Sequence, residues 1–163
     1  MKPIAFVLAV VLSTAVFGVV LDLVTAHVAV DYFTVHHPHV VNSDSPVVMA
    51  LVWGVGASWW FGLAAAVLIW IFNARRPCPL SLSEIFPWIP KALVIIWCVM
   101  MTVLASIYAL GGMVPERLRR PIFEHDRRLM AVAVAHSTEY VLGGIAVLVV
   151  LRKIAQRTGS PSS

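Results

Sequence analysis

A chain of 163 residues that is 60% hydrophobic and only 12% charged carries about half the ~25% charge of an ordinary soluble domain, and its mean hydropathy is +0.90. Such a sequence cannot cover a water-facing surface with polar groups, so it reads as a single integral membrane domain. The formal net charge of +4 comes from short basic clusters beside apolar runs, which is the arrangement of membrane flanks and not of a nucleic-acid face.

Met1-Lys2-Pro3 is followed by an apolar run from Ile4 to about Val24, with a continuation to Val30 left open. The run is longer than the ~7–15 residues of a signal-peptide core and lacks a small-residue cleavage site, so it is expected to be a retained helix. Three further runs, 47–72, 92–113 and 129–151, reach the roughly 20 residues a bilayer crossing needs. Pro46, Pro90 and Pro115 stand at segment edges, where proline starts or stops a helix without removing an interior hydrogen bond. The expected fold is all-α: an integral membrane four-helix bundle with a polar outer loop over 25–46 and a disordered tail from about 158 to 163.

Ser43-Asp44-Ser45 reads as an N-cap cluster, with Pro46 at the first helical position. Between the second and third helices, a short amphipathic stretch from Leu82 to Trp88 is expected to lie on the membrane interface, with Phe86 and Trp88 dipping into it. Cys78 and Cys98 lack metal-ligand spacing and fall at different depths, so both are expected to be free thiols.

With the N-terminus inside, the inner side carries Lys2, Arg75, Arg76, Lys91, Arg152, Lys153 and Arg157. The outer side then carries Arg117, Arg119, Arg120, Arg127 and Arg128, interspersed with Glu116, Glu124 and Asp126. The first loop has no basic residue at all, so the positive-inside rule places both termini in the cytoplasm.

Polar chemistry gathers in one stretch. Residues 22–46 hold three of the four aspartates and four of the six histidines, with no lysine or arginine. Asp22, Thr25, His27 and Tyr32 lie at the end of the first helix or just beyond it. On the last helix, His136, Glu139 and Tyr140 have the i, i+3 and i, i+4 spacing of one shared face. A carboxylate at the centre of a membrane helix costs about 2.5–3.5 kcal/mol on insertion scales, so Glu139 must face the bundle, paired or protonated. Two uses are open: polar glue between helices, or a functional site. His36, His37 and His39, with Asp31, offer ligands suited to a transition metal, and His136 and Glu139 are a second candidate set. Glu124-His125-Asp126 is a further possible set, flanked by arginines that favour a salt-bridged loop. Gly143 and Gly144 mark a place for close helix approach.

The residues Asp22 and Thr25, then Asp31-Tyr32-Phe33-Thr34 with His37-Pro38, resemble a pattern in a family of uncharacterised bacterial multi-pass membrane proteins. In that family the first helix ends in His-Asp-Gln-Val-Thr, and Glu-Tyr-Phe-Thr and often His-Pro follow. Trp53-Gly54 and Trp59-Trp60 match its second helix, and His136, Tyr140 and Gly143 match its last. Leu21 and Leu23 replace the family's His and Gln, and Asp31 replaces its Glu. The resemblance implies four helices and a membrane address, and it brings no activity with it; a bacterial inner membrane is the expected location.

Three functions fit these residues. The chain is a structural or partner-binding membrane protein, alone or as a homo-oligomer. Alternatively it is a metal- or proton-dependent transport or redox protein using the polar cluster. In the third case it is a membrane enzyme with Glu139 or Asp22 as base and His136 as partner. Four helices without an inverted repeat are few for alternating access, so transport implies an oligomer.

Overall fold

Proline decides where the first two long helices begin. In the computed structural model, which describes residues 1–110 and 127–158, Pro3 and Pro46 each occupy the first turn of a helix, behind extended Lys2 and Ser45. The elements are α1 (Pro3–Val28), α2 (Asp31–Thr34), α3 (Pro46–Ala74), α4 (Leu82–Ile85), α5 (Trp88–Leu110) and α6 (Arg127–Thr158). The described residues are helical, without strands. Among the described residues, four helices are long and apolar enough to cross a membrane, α4 and α5 together forming the third. The chain is a multi-pass, all-α membrane bundle.

Several boundaries differ from the sequence expectation. Helix α1 runs to Val28, which takes Thr25 and His27 out of the polar loop and onto the last turns of a helix. His27 turns back on that helix, its Nδ1–H donating to the Leu23 carbonyl at 2.6 Å. Helix α3 starts at Pro46 as expected, but no side chain caps it; Ser43 Oγ instead accepts from the Ser45 N–H at 3.2 Å. Helix α5 starts at Trp88, with Pro90 in a first turn that has no use for its missing N–H. Helix α6, 32 residues and therefore about 48 Å long, exceeds the ~30 Å hydrocarbon core, so its basic last turns stand among headgroups. Residues 111–113, the charged third loop and the tail beyond 158 lie outside the described residues.

The helices pack as two pairs, α1 on α3 and α5 on α6. The first pair is built on small residues. Along α3, Ala50, Gly54, Ser58, Gly62 and Ala66 recur every fourth residue, facing Val10, Thr14, Gly18, Asp22 and Ala26 of α1 at the same interval. A side chain at Gly54 would meet the backbone of Val19 at 2.6 Å, and one at Gly62 would run into Thr14 Oγ1. Lipid tails are as apolar as leucine, so membrane helices associate through close van der Waals fit and not through hydrophobic burial. These absent side chains are what permit that fit.

The end of the bundle that carries most basic residues is closed by an apolar cluster: Phe6 and Val10, Ala66 and Ile69, Leu82 and Ile85, Ile89, Val150 and Ile154. Its lid is α4. There Glu84 accepts from the Ser81 N–H at 2.9 Å and from Ser81 Oγ at 2.6 Å, a capping box that fixes the turn. Asn73 ties the same loop down by donating to the Leu80 carbonyl at 2.8 Å and accepting from its N–H at 3.0 Å. The expected interfacial stretch thus turns its apolar face into the bundle, with Phe86 and Trp88 packed against the cluster. Both cysteines are free thiols.

Candidate functional site

At the opposite end, α1, α2 and α6 bring polar side chains inside the bundle. Asp22 and Thr25 lie one turn apart near the end of α1, and His136 faces them from α6. These three are 3%, 0% and 9% exposed, so they must find their partners inside the bundle. His136 Nε2 lies 3.5 Å from Asp22 Oδ1 and 3.3 Å from Thr25 Oγ1. Its other nitrogen, Nδ1, lies 3.4 Å from Glu139 Oε2, one turn along the same helix.

The proton positions follow from which atoms can donate. Thr25 has one hydroxyl hydrogen, and it goes to the Leu21 carbonyl at 3.3 Å, because a carbonyl only accepts. With that hydrogen on Leu21, the Thr25 oxygen can accept from His136 in the tautomer that carries its hydrogen on Nε2, where Asp22 lies as well. Nδ1 is left facing a carboxyl group. A proton on either partner would make this a hydrogen bond across the 3.4 Å separation. All three separations are longer than the ~2.9 Å of a tight hydrogen bond, so the ring is held loosely between its partners.

Aromatic side chains fix the ring's plane. Tyr32 stacks on His136 with centroids 5.0 Å apart and planes 9° from parallel, and Phe33 meets it edge-on at 5.7 Å. The series continues outward: His37 lies 4.7 Å from Tyr32 and 4.7 Å from Trp53, and its Nδ1–H donates to the Tyr32 carbonyl at 2.7 Å. Burial pushes the Tyr32 phenol up to about 12, with the neighbouring Tyr140, Asp22 and Glu139 adding to the effect. It stays a neutral phenol over the ordinary pH range.

Below this roof is a cavity of about 50 Å³, enough for a few waters or a small polar head. Asp22, His136 and Glu139 form its polar wall, with Thr14 and Ser58 further in, while Phe17, Phe61, Leu93 and Ile96 form its apolar sides; Tyr140 and Gly143 complete it on α6. Gly143 is needed there, since a side chain would come within 2.9 Å of the Phe61 ring; Gly144, the other expected close approach, has open space beside it.

The structure brings together Asp22, Thr25, Tyr32, His136, Glu139 and Tyr140 of the expected residues, and adds His37 through the aromatic series. It leaves Asp31, His36 and His39 exposed and His27 exposed on its own helix. Among the described residues, no group of three or more His, Cys, Asp or Glu side chains is placed to hold a metal ion. Glu124, His125 and Asp126 lie outside the described residues. Ser58, expected with the polar groups in the outer half of the second helix, lines the cavity, while Thr14 was missed by sequence reasoning; its four-residue spacing from Gly18 and Asp22 on α1 was the signal that would have found it.

Compared with known proteins, the chain matches no family model, no curated protein and no solved structure.

Proposed function

We propose that this multi-pass membrane protein works through a proton-exchanging site, Asp22–His136–Glu139. The site would exchange protons with water or with a small polar head entering the adjoining cavity. The observation that carries this is the imidazole held between two carboxyl groups, one at each ring nitrogen. A proton gained at Nδ1 or Glu139 is passed on by a shift of one hydrogen, the arrangement expected of a general acid–base pair.

The same geometry favours protons over a metal. An ion on Nε2 would have Asp22 within reach but Glu139 behind the ring, as an outer partner and not a ligand. The apolar plug at the basic end favours access from one side over a continuous channel. By the positive-inside rule that plug faces the cytoplasm, so the site opens to the outer half of a bacterial inner membrane.

The test is infrared difference spectroscopy of the protein in lipid, recorded as pH is stepped. The expected outcome is a carboxyl spectrum that changes with pH in wild type and is altered in both Glu139→Gln and His136→Ala. Identical spectra for wild type and Glu139→Gln overturn the proposal.

A further inference from the structure

Away from this site, α5 and α6 leave a groove between them of about 250 Å³. Its floor and walls are apolar and exposed: Ile95 and Val99 on α5, Ile145 and Val149 on α6. The residues recur at the i, i+3, i+4 spacing that keeps one face of each helix in line. From Trp88 to Val99 the groove covers eleven helical steps, or about 16 Å, close to one leaflet of a ~30 Å hydrocarbon core.

One end of the groove is chemically different. Trp88, Lys91 and Lys153 line it there. Lys153 Nζ sits 5.6 Å from the centroid of the Trp88 ring and the Arg157 guanidinium 5.2 Å from it. Glu84, the carboxylate of α4, is occupied by its hydrogen bonds to Ser81. Among the described residues no carboxylate is paired with Lys91 or Lys153. Tryptophan and lysine at the end of an apolar helix pair mark headgroup depth, so the positive charge lies where a phosphate sits and the trench lies where an acyl chain sits.

We propose that this groove binds one anionic phospholipid, an acyl chain along Ile95, Val99, Ile145 and Val149 and the phosphate between Lys91 and Lys153. Basic pockets between membrane helices are recognised sites for anionic headgroups. Here the leaflet-length trench adds recognition of the chain. A soluble phosphate would use only the lysines, and a zwitterionic lipid only the trench.

Native mass spectrometry of the full chain, extracted in a neutral detergent and offered equal phosphatidylglycerol and phosphatidylcholine, tests this. Wild type is expected to retain one phosphatidylglycerol per chain in preference to phosphatidylcholine. Lys91→Gln/Lys153→Gln, at two exposed positions, is expected to lower that retention by about tenfold or more. Val149→Phe, which fills the trench and leaves the lysines, is expected to lose both lipids. Equal retention of the two lipids, or unchanged retention in the lysine variant, overturns the proposal. So does displacement by millimolar inorganic phosphate, which makes this a phosphate site. A wild-type dimer that Val149→Phe converts to monomer also overturns it and assigns the groove to a second copy of the chain.

Discussion

At the basic end of the bundle the interior is mostly apolar, Asn73 being its buried polar residue, hydrogen-bonded to the Leu80 backbone. Phe6, Ile69, Ile85 and Ile154 are at most 1% exposed, while Lys153 and Arg157 lie across the outer face of Trp88. At the other end the arrangement is inverted: the interior holds two carboxyl groups, an imidazole and a buried threonine hydroxyl, and the covering segment has no lysine or arginine. One end is built to be tight. The other accepts the cost of burying polar groups, which in a membrane persists where a function requires it. Stability and the proposed chemistry therefore fall at different ends, and substitutions should separate them.

The largest effect is expected at the plug. Ile154→Ala removes a fully buried side chain and leaves a cavity that α4 and the ends of α1 and α3 cannot easily close, which costs about 3 kcal/mol. The pH-dependent carboxyl spectrum should be unchanged. Reversible unfolding in mixed micelles measures the first and infrared spectroscopy the second; a plug variant that alters the spectrum would join the two ends that the structure separates.

The seam between α1 and α3 comes next. Gly54→Ala forces α1 away at Val19, at a cost of about 2 kcal/mol. Gly56→Ala, with nothing within 4 Å of the new methyl group, should fall within about 0.5 kcal/mol of wild type. Comparable melting of the two variants would contradict the packing of the first pair.

His136→Ala should cost less than either, about 1 kcal/mol. Breaking a buried ion pair in a soluble core costs about 3–5 kcal/mol, but hydrogen bonds between membrane helices average only about 0.6 kcal/mol, because the unfolded helices find other partners in the bilayer. The carboxyl groups left behind can also take up protons instead of remaining as bare charges. A small stability loss with a large change in the infrared spectrum marks a site. A loss as large as that of Ile154→Ala would make His136 the glue of the bundle.

The four spans were legible because a run of some twenty apolar residues has few other uses, and prolines punctuated two of the starts. The buried polar residues were legible for the converse reason: Asp22, His136 and Glu139 are too costly in a membrane to face lipid, so each had to find a partner. Which partners they found was not legible. That depended on α1 continuing one turn past Val24, which carries Thr25 to His136, and no helix-stopping residue lies between Val24 and Val28 to show where it ends. The stacking of Tyr32 on His136 was hidden similarly, since it depends on a one-turn helix folding back over the bundle. His36 and His39 look like ligands in sequence because they are close together, yet closeness along the chain does not make side chains converge.

The smallest expected effect tests that stacking. The Tyr32 phenol is held at about 12 against an ordinary 10.0, chiefly by burial. Its folded value lies above its unfolded one, so folding favours the protonated phenol. The contribution is complete below pH 10 and is lost as pH rises from about 10 towards 12. Wild type and Tyr32→Phe should therefore run parallel below pH 10, and wild type should then lose stability faster, because phenylalanine has no proton to give up. The difference between the two curves cancels every other group that titrates in the same range. Parallel curves through pH 12 would show that Tyr32 is free of the bundle, leaving the His136 ring without its cover and the loop end more open than its aromatic series implies.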